Sequence, residues 1–419
     1  MNKFLKQIKI RLTDISKENL FIRKILRTTM LLLRKIIYLK YYLFNKINDK
    51  TIIFEAYMGR SYACSPKALY QELIINPNYQ GYKFVWAFKN PTDYLDKEEL
   101  KFAKLIAYNS KEYKTYYSKA KYWISNSRVP EYIIKKPSQI YLQCWHGTPL
   151  KRLGHDIISE SQNALNTKQD MINKYTRDAK RYNYFLSPSR YATEKFISAF
   201  GLNRLKKKDI ILELGYPRND FLFKYTKQDQ ESIKQSLNLP KNKKIILYAP
   251  TWRDNQHESG LGYTYNVETD FNLLQKFLSK NYIILFRAHY FISNSFDFAK
   301  YNNFIFDVSK VDDINKLYII SDVLITDYSS VFFDFANLKR PIIFFMYDLD
   351  LYENFLRGFY IDLAELPGCI VKSEQEIIDT LENINEYQKE YENKYIEFNK
   401  TFNYLDSSNA SLKVLNKIL

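Results

Sequence analysis

From residue 50 onward, short apolar runs alternate with stretches whose apolar residues recur at helical spacing, a pattern that predicts parallel sheets covered by helices. In the first stretch the strand-like runs are residues 51–57, 83–88, 122–125, 140–145 and 184–187, with a helix expected over 65–75. A second series begins at 244–249 and continues through 282–287, 304–307, 323–326 and 341–345. Between these runs, helices are expected over 271–279, 314–321 and 331–338, each short and apolar on one face as a crossover connection requires. Gly215, Pro217 and Pro240 punctuate the stretch between the two series, and the boundary between them is expected near residues 225–240. The expected fold is therefore α/β, with two Rossmann-like halves facing across a cleft. The divisions are placed at residues 1–49, 50–230 and 231–419.

The first fifty residues follow a different pattern. Leu5, Ile8, Leu12, Ile15, Ile22, Leu26, Leu33 and Ile37 recur at three-, four- and seven-residue steps, the signature of basic amphipathic helices. This segment holds 13 Lys and Arg against 3 Asp and Glu, and so supplies +10 of the chain's net +17. Its uncharged stretches fall far below the ~20 apolar residues a spanning helix needs. Nor does it show the apolar core and cleavage site of a secretory signal. It suits an anionic membrane surface, where each basic residue contributes about 1 kcal/mol, and the expected location is the cytoplasmic membrane face, held peripherally. The alternatives are a solvated helical hairpin and a nucleic-acid contact, and no nucleic-acid-binding motif supports the second.

Composition narrows the chemistry. The chain has 419 residues, 46% of them hydrophobic and 26% charged, a balance that excludes general disorder and leaves room for more than one core. The three cysteines, Cys64, Cys144 and Cys369, are too few and too scattered for a disulfide framework or a Cys-based zinc site. With four histidines, His146, His155, His257 and His289, no histidine-rich metal centre can be assembled without carboxylates. Asp348 and Asp350 form an Asp-x-Asp pair of the kind some metal-dependent sugar transferases use, a three-residue pattern too short to assign a metal, and no metal ligand is assigned.

Candidate chemistry gathers at the ends of the expected strands, where α/β proteins place their ligands. His146 closes one strand and is followed by Gly147 and Pro149, which cannot continue it. Its imidazole can accept a proton near neutral pH, while Lys151 and Arg152 supply positive charge for an anionic partner. Arg287 and His289 repeat this arrangement after a later strand, Arg being suited to bidentate phosphate recognition. Thr251 and Arg253 follow the strand at 244–249. The run Thr326, Asp327, Tyr328, Ser329 and Ser330 forms a turn before a helix beginning at Val331. A serine N-cap and the free amides of that helix make the turn a candidate phosphate seat, with Asp334 available to ribose hydroxyls.

Taken together, His146 to Lys151, Ala249 to Arg253, Arg287 to His289, Thr326 to Ser330, Arg340 to Phe344, Tyr347 with Asp348, and Arg357 to Phe359 resemble the CDP-glycerol glycerophosphotransferase family of teichoic acid synthesis. The resemblance covers roughly residues 50–410. It implies a GT-B fold whose N-terminal helices dock on the membrane. It also implies transfer of a polyol phosphate from CDP-glycerol or CDP-ribitol to an undecaprenyl-linked acceptor, with CMP released. His146 matches the general base, and Arg287, His289, Ser329 and Ser330 match the pyrophosphate-binding positions; His289 is thereby paired with His146 as a catalytic candidate. No cofactor beyond the donor substrate follows from the resemblance, and a divalent ion is left open. The segment from Asp406 to Ser411 departs from the family pattern by lacking a glycine. The competing expectations are a GT-B sugar transferase using a nucleotide sugar and a non-catalytic membrane scaffold.

Overall fold

A computed structural model describes residues 20–158, 167–251, 257–258, 262–263, 269–287, 297–349 and 358–419. Contacts divide the chain into two compact units, residues 1–60 with 79–141, and residues 61–78 with 142–419.

The first unit is built on four parallel strands: β1 (Asn48–Glu55), β2 (Lys83–Phe88), β3 (Ala103–Ala107) and β4 (Ala120–Ser125), in the order β3-β2-β1-β4. Ile52, Ile53 and Phe54 are fully buried, as are Trp86, Ala87 and Phe88. Such unbroken apolar runs are what a parallel sheet covered on both faces requires. Phe54, Trp86 and Phe88 stack in sequence, with ring centres 5.2 and 5.5 Å apart. A long helix, Leu20–Phe44, precedes the sheet and is anchored by the fully buried Tyr38. Most of its large apolar side chains are exposed, Phe21 at 72%, Leu43 at 67% and Phe44 at 83% among them. Among the described residues, no helix is long and apolar enough to cross a membrane. The amphipathic pattern over residues 1–19 lies outside the described residues.

The second unit carries β5 (Ile140–Gln143), β6 (Tyr184–Ser187) and β7 (Ile211–Glu213), which pair in parallel in that order. Its six-stranded parallel sheet consists of β8 (Lys244–Ala249), β11 (Tyr282–Phe286), β12 (Ile305–Asp307), β13 (Val323–Thr326), β14 (Ile342–Phe345) and β15 (Ile370–Val371), ordered β12-β11-β8-β13-β14-β15. A two-stranded hairpin, β9 (His257–Glu258) with β10 (Gly262–Tyr263), interrupts the series. Alternation along β8 feeds two cores: Ile245, Leu247 and Ala249 join one, and Ile246 and Tyr248 the other.

Every strand expected from the apolar runs is present, four of them with identical bounds. The helix expected over 331–338 is instead a five-residue α-helix, Val331–Phe335, followed by a 3-10 turn, Ala336–Leu338, which ends at Lys339 in the left-handed region (φ 54°). Besides the β9–β10 hairpin, three parallel strands went unread. β3 carries Lys104 and is the outer strand of its four, while β7 and β15 are three and two residues long, too short for a periodic signal. The stretch before the boundary expected near 225–240 is itself structured. Pro217–Phe223 is a 3-10 helix with Arg218, Asn219, Asp220 and Leu222 buried, and the helix Ala410–Ile418 packs on it and on the helix Cys64–Ile75. Asp220 accepts from the amides of Ala410 and Ser411, at 2.9 Å each, and so caps that terminal helix with a carboxylate.

Candidate active site

The loop after β5 is shaped by one buried aromatic. Trp145, in the left-handed region (φ 51°), donates its amide to the Gln143 side chain at 2.9 Å and buries its indole against Phe185, Phe196 and Phe200. With Trp145 turned inward, His146 is exposed, its ring 4.4 Å from the indole. Gly147 comes next, and a Cβ there would lie 2.5 Å from Ser330 Oγ. The His146 loop and the Ser330 turn therefore touch, with glycine as the residue that allows it. Beyond Gly147 the loop is held on two sides. The Tyr191 hydroxyl donates to the Pro149 carbonyl at 2.7 Å, while Lys151 pairs antiparallel with Phe359 and the Arg152 amide donates to the Gly358 carbonyl at 3.1 Å.

The ends of β8 and β13 are tied together. Thr326 Oγ1 donates to the Ala249 carbonyl at 2.7 Å, and the Asp327 carboxylate accepts from the Thr251 amide at 2.9 and 3.1 Å. Thr326 is fully buried, so it shapes the turn by committing its hydroxyl to the neighbouring strand. Tyr328 stacks on Phe359 and donates to Asp348 at 3.0 Å. Ser329 and Ser330 are half-exposed; Ser330 is the N-cap residue, yet its side chain makes no capping hydrogen bond. Arg287, at the end of β11, donates through Nη1 to the carbonyls of Val308 and Val311 at 3.1 and 2.7 Å. Arg253, His289, Asp350 and Arg357 lie outside the described residues. Among the described residues, no three His, Cys, Asp or Glu side chains gather as a metal site would require.

Asp334, expected to face ribose hydroxyls, is bonded within the protein. It is buried, and its carboxylate accepts from Arg218 Nη2 at 2.9 Å and Nε at 3.1 Å and from Asn219 Nδ2 at 3.0 Å. The Arg218 guanidinium lies 3.9 Å from the centre of the Tyr216 ring. Burial is the largest influence and works against its charge, but the Asp334 carboxylate together with Cys64 and Tyr216 outweighs it and holds the pKa above its ordinary value. Asp406 extends the network, accepting from the Tyr216 amide and from the side chains of Asn219 and Asn337 at 2.9, 2.6 and 3.0 Å. Burial pushes its carboxyl up to about 6. The departing segment after residue 405 is thus a brace for the Ser330 helix. Reading by residue type missed Arg218 and Asn219. The available signal was Gly215, Pro217, Arg218, Asn219 and Asp220 in one run, with Gly215 at φ 85° and a Cβ there lying 2.6 Å from the Leu405 carbonyl.

Residues 37–419 match the model of the CDP-glycerol:poly(glycerophosphate) glycerophosphotransferase family. The chain belongs to this family. Within it, the chain is 43% identical over 372 residues to the teichoic acid poly(glycerol phosphate) polymerase of Staphylococcus epidermidis, covering 88% of this chain and 50% of that one. It is 39% identical over 387 residues to the teichoic acid glycerol-phosphate transferase of Staphylococcus aureus, covering 91% of this chain and 96% of that one. The chain spans about half the length of the Staphylococcus epidermidis and Bacillus subtilis polymerases it matches. A solved structure of the wall teichoic acid polymerase TagF is 39% identical and superposes with a TM-score of 0.83, over 94% of this chain and 96% of that one. The family's GT-B-like fold, α/β with parallel sheets, is accordingly the fold of this chain.

Proposed function

We propose that the chain transfers glycerol phosphate from CDP-glycerol to a hydroxyl of an undecaprenyl-linked acceptor. The acceptor hydroxyl attacks the phosphorus that bears the glycerol and passes its proton to His146. The bond from that phosphorus to the bridging oxygen breaks, CMP leaves with that oxygen, and a phosphodiester remains. The observation that carries this reading is the contact of Gly147 with Ser330, which sets an exposed histidine one residue from a serine whose hydroxyl is not used as a cap. A general base beside a cluster of hydroxyl, amide and guanidinium donors is the arrangement phosphoryl transfer needs.

On this reading Arg287, Ser329, Ser330 and Thr251 face the donor's pyrophosphate, joined by Arg253 and His289 from the family pattern, while Thr326 shapes their turn. Lys151 and Arg152 face the anionic acceptor. Residues 231–419 supply the donor half and 50–230 the acceptor half. Glycerol is favoured over ribitol because the relatives at 39–43% identity are named for glycerol phosphate. The helix Leu20–Phe44, with exposed Phe21, Leu32, Leu43 and Phe44 beside Arg23, Lys24 and Arg27, is suited to lie in an anionic headgroup region at the cytoplasmic membrane face.

The test is CMP release by the purified chain from CDP-glycerol and, separately, from CDP-ribitol, each with a lipid-linked polyol-phosphate acceptor. CMP is expected with CDP-glycerol, and His146→Ala is expected to slow its release by about 10²–10⁴-fold. No CMP from either donor, with folded protein and an acceptor that a characterised transferase extends, returns the chain to the sugar-transferase or scaffold reading.

A further inference from the structure

Beside the His146 loop, two cations share one aromatic ring. The guanidinium carbon of Arg152 lies 5.5 Å from the centre of the Tyr360 ring, and Lys195 Nζ lies 5.7 Å from the same centre and 5.3 Å from that of Tyr191. Tyr191 is the residue that holds the Pro149 carbonyl, and Lys195 stands one helical turn further along Arg190–Ala199. The Arg152 amide is fixed to Gly358. The ledge is thus attached at both ends to the loop that carries His146.

Its acidic neighbours are already engaged or at the margin. Asp156 accepts from the Tyr360 hydroxyl through one oxygen and from the Ser198 hydroxyl through the other. Glu194 pairs with Arg190 at 3.0 Å, and Glu365, which acts on Tyr191, is exposed. Among the described residues, neither Arg152 nor Lys195 has a salt-bridge partner. With the Tyr360 hydroxyl committed to Asp156, the ring is held as a fixed apolar platform shared by a planar fork and a point charge. That pairing suits a phosphate diester, which is singly charged and offers two oxygens.

We propose that Arg152 and Lys195, which share the Tyr360 ring, bind a phosphate diester of the acceptor behind the attacked hydroxyl. The chain then selects acceptors that already end in a polyol phosphate over neutral ones. The inference rests on the phosphotransferase reading, and one experiment separates the two. Steady-state KM is measured by CMP release for two synthetic lipid-linked acceptors of equal length. One carries a phosphate diester next to the terminal glycerol, and the other a neutral methylphosphonate at that position.

The wild-type KM is expected to be about 10-fold lower for the charged acceptor, the size of one lost charge-assisted contact. In Lys195→Gln that ratio collapses towards 1 while the KM for CDP-glycerol holds, and Lys195→Arg restores most of the ratio. A purely structural lysine would change kcat or the active fraction and leave the ratio standing. Turnover by the wild type with equal KM for both acceptors overturns this inference alone, as does a ratio that survives Lys195→Gln. No CMP with either acceptor overturns the phosphotransferase reading and this inference with it.

Discussion

Two buried carboxyl groups, one in each unit, are supported in opposite ways. Glu55, at the end of β1, is fully buried, and its Oε2 accepts from the hydroxyls of Tyr113 and Tyr117 at 2.7 and 2.9 Å, while Oε1 has no hydrogen-bond partner among the described residues. Burial pushes this carboxyl up to about 7 against the pull of the two tyrosines. Asp334 is likewise enclosed, yet it faces a guanidinium that binds both its oxygens. At Glu55 burial outweighs two neutral donors and favours the protonated acid, whereas at Asp334 a cation offsets the cost of burying the carboxylate. The second arrangement fixes direction, and it stands under the Ser330 turn.

Breaking the ion pair gives the largest expected effect. Arg218→Met leaves Asp334 buried without its cation and is expected to cost about 3–5 kcal/mol, read as a fall in the denaturant midpoint. The milder Asp334→Asn keeps an acceptor for the guanidinium and is expected to raise the KM for CDP-glycerol before the fold is lost.

Next comes the pH dependence of Glu55. Its folded pKa lies above the unfolded value of 4.5, so the folded state binds the proton more tightly. Stability is then greatest below about pH 4.5 and declines as pH rises towards 7, by up to about 3 kcal/mol. Asp406, also raised, adds a decline between its ordinary range and about 6. Glu55→Gln is expected to remove the Glu55 share of the slope and to stabilise the protein above pH 7. Urea melts from pH 5 to 8 read both, and an unchanged slope in the variant would show that Glu55 titrates alike in both states.

The smallest change in stability is expected for Gly147→Ala. The new methyl would meet Ser330 Oγ, a side-chain atom that can rotate away, so the cost in stability is under about 1 kcal/mol. Rotation takes the hydroxyl off the donor seat, and the KM for CDP-glycerol is expected to rise about 10-fold.

These contrasts mark what the chain discloses on reading and what it withholds. The strands at 83–88, 184–187, 244–249 and 323–326 were legible to the residue because both faces are buried, which writes an unbroken apolar run. The site loops were legible because His146, Gly147 and the Ser329 and Ser330 pair sit where strands end. The support beneath them was not. Arg218, Asn219, Asp334 and Asp406 are polar residues whose burial depends on partners more than a hundred positions away. No local period distinguishes a carboxylate held by a distant arginine from one left to meet a ribose, and the pairing of Asp334 with Arg218 was not legible for that reason.

The terminal helix Ala410–Ile418 rests on Cys64–Ile75 and is capped by Asp220. During synthesis, Cys64–Ile75 leaves the ribosome hundreds of residues before its packing partner exists. Contacts of such long sequence separation form late and slow the search for the native state. The second unit must therefore wait, with part of its apolar surface uncovered, until segment 410–418 of the nascent chain has emerged and coiled into its helix. That interval is when aggregation competes most strongly and when chaperone protection has the most to offer.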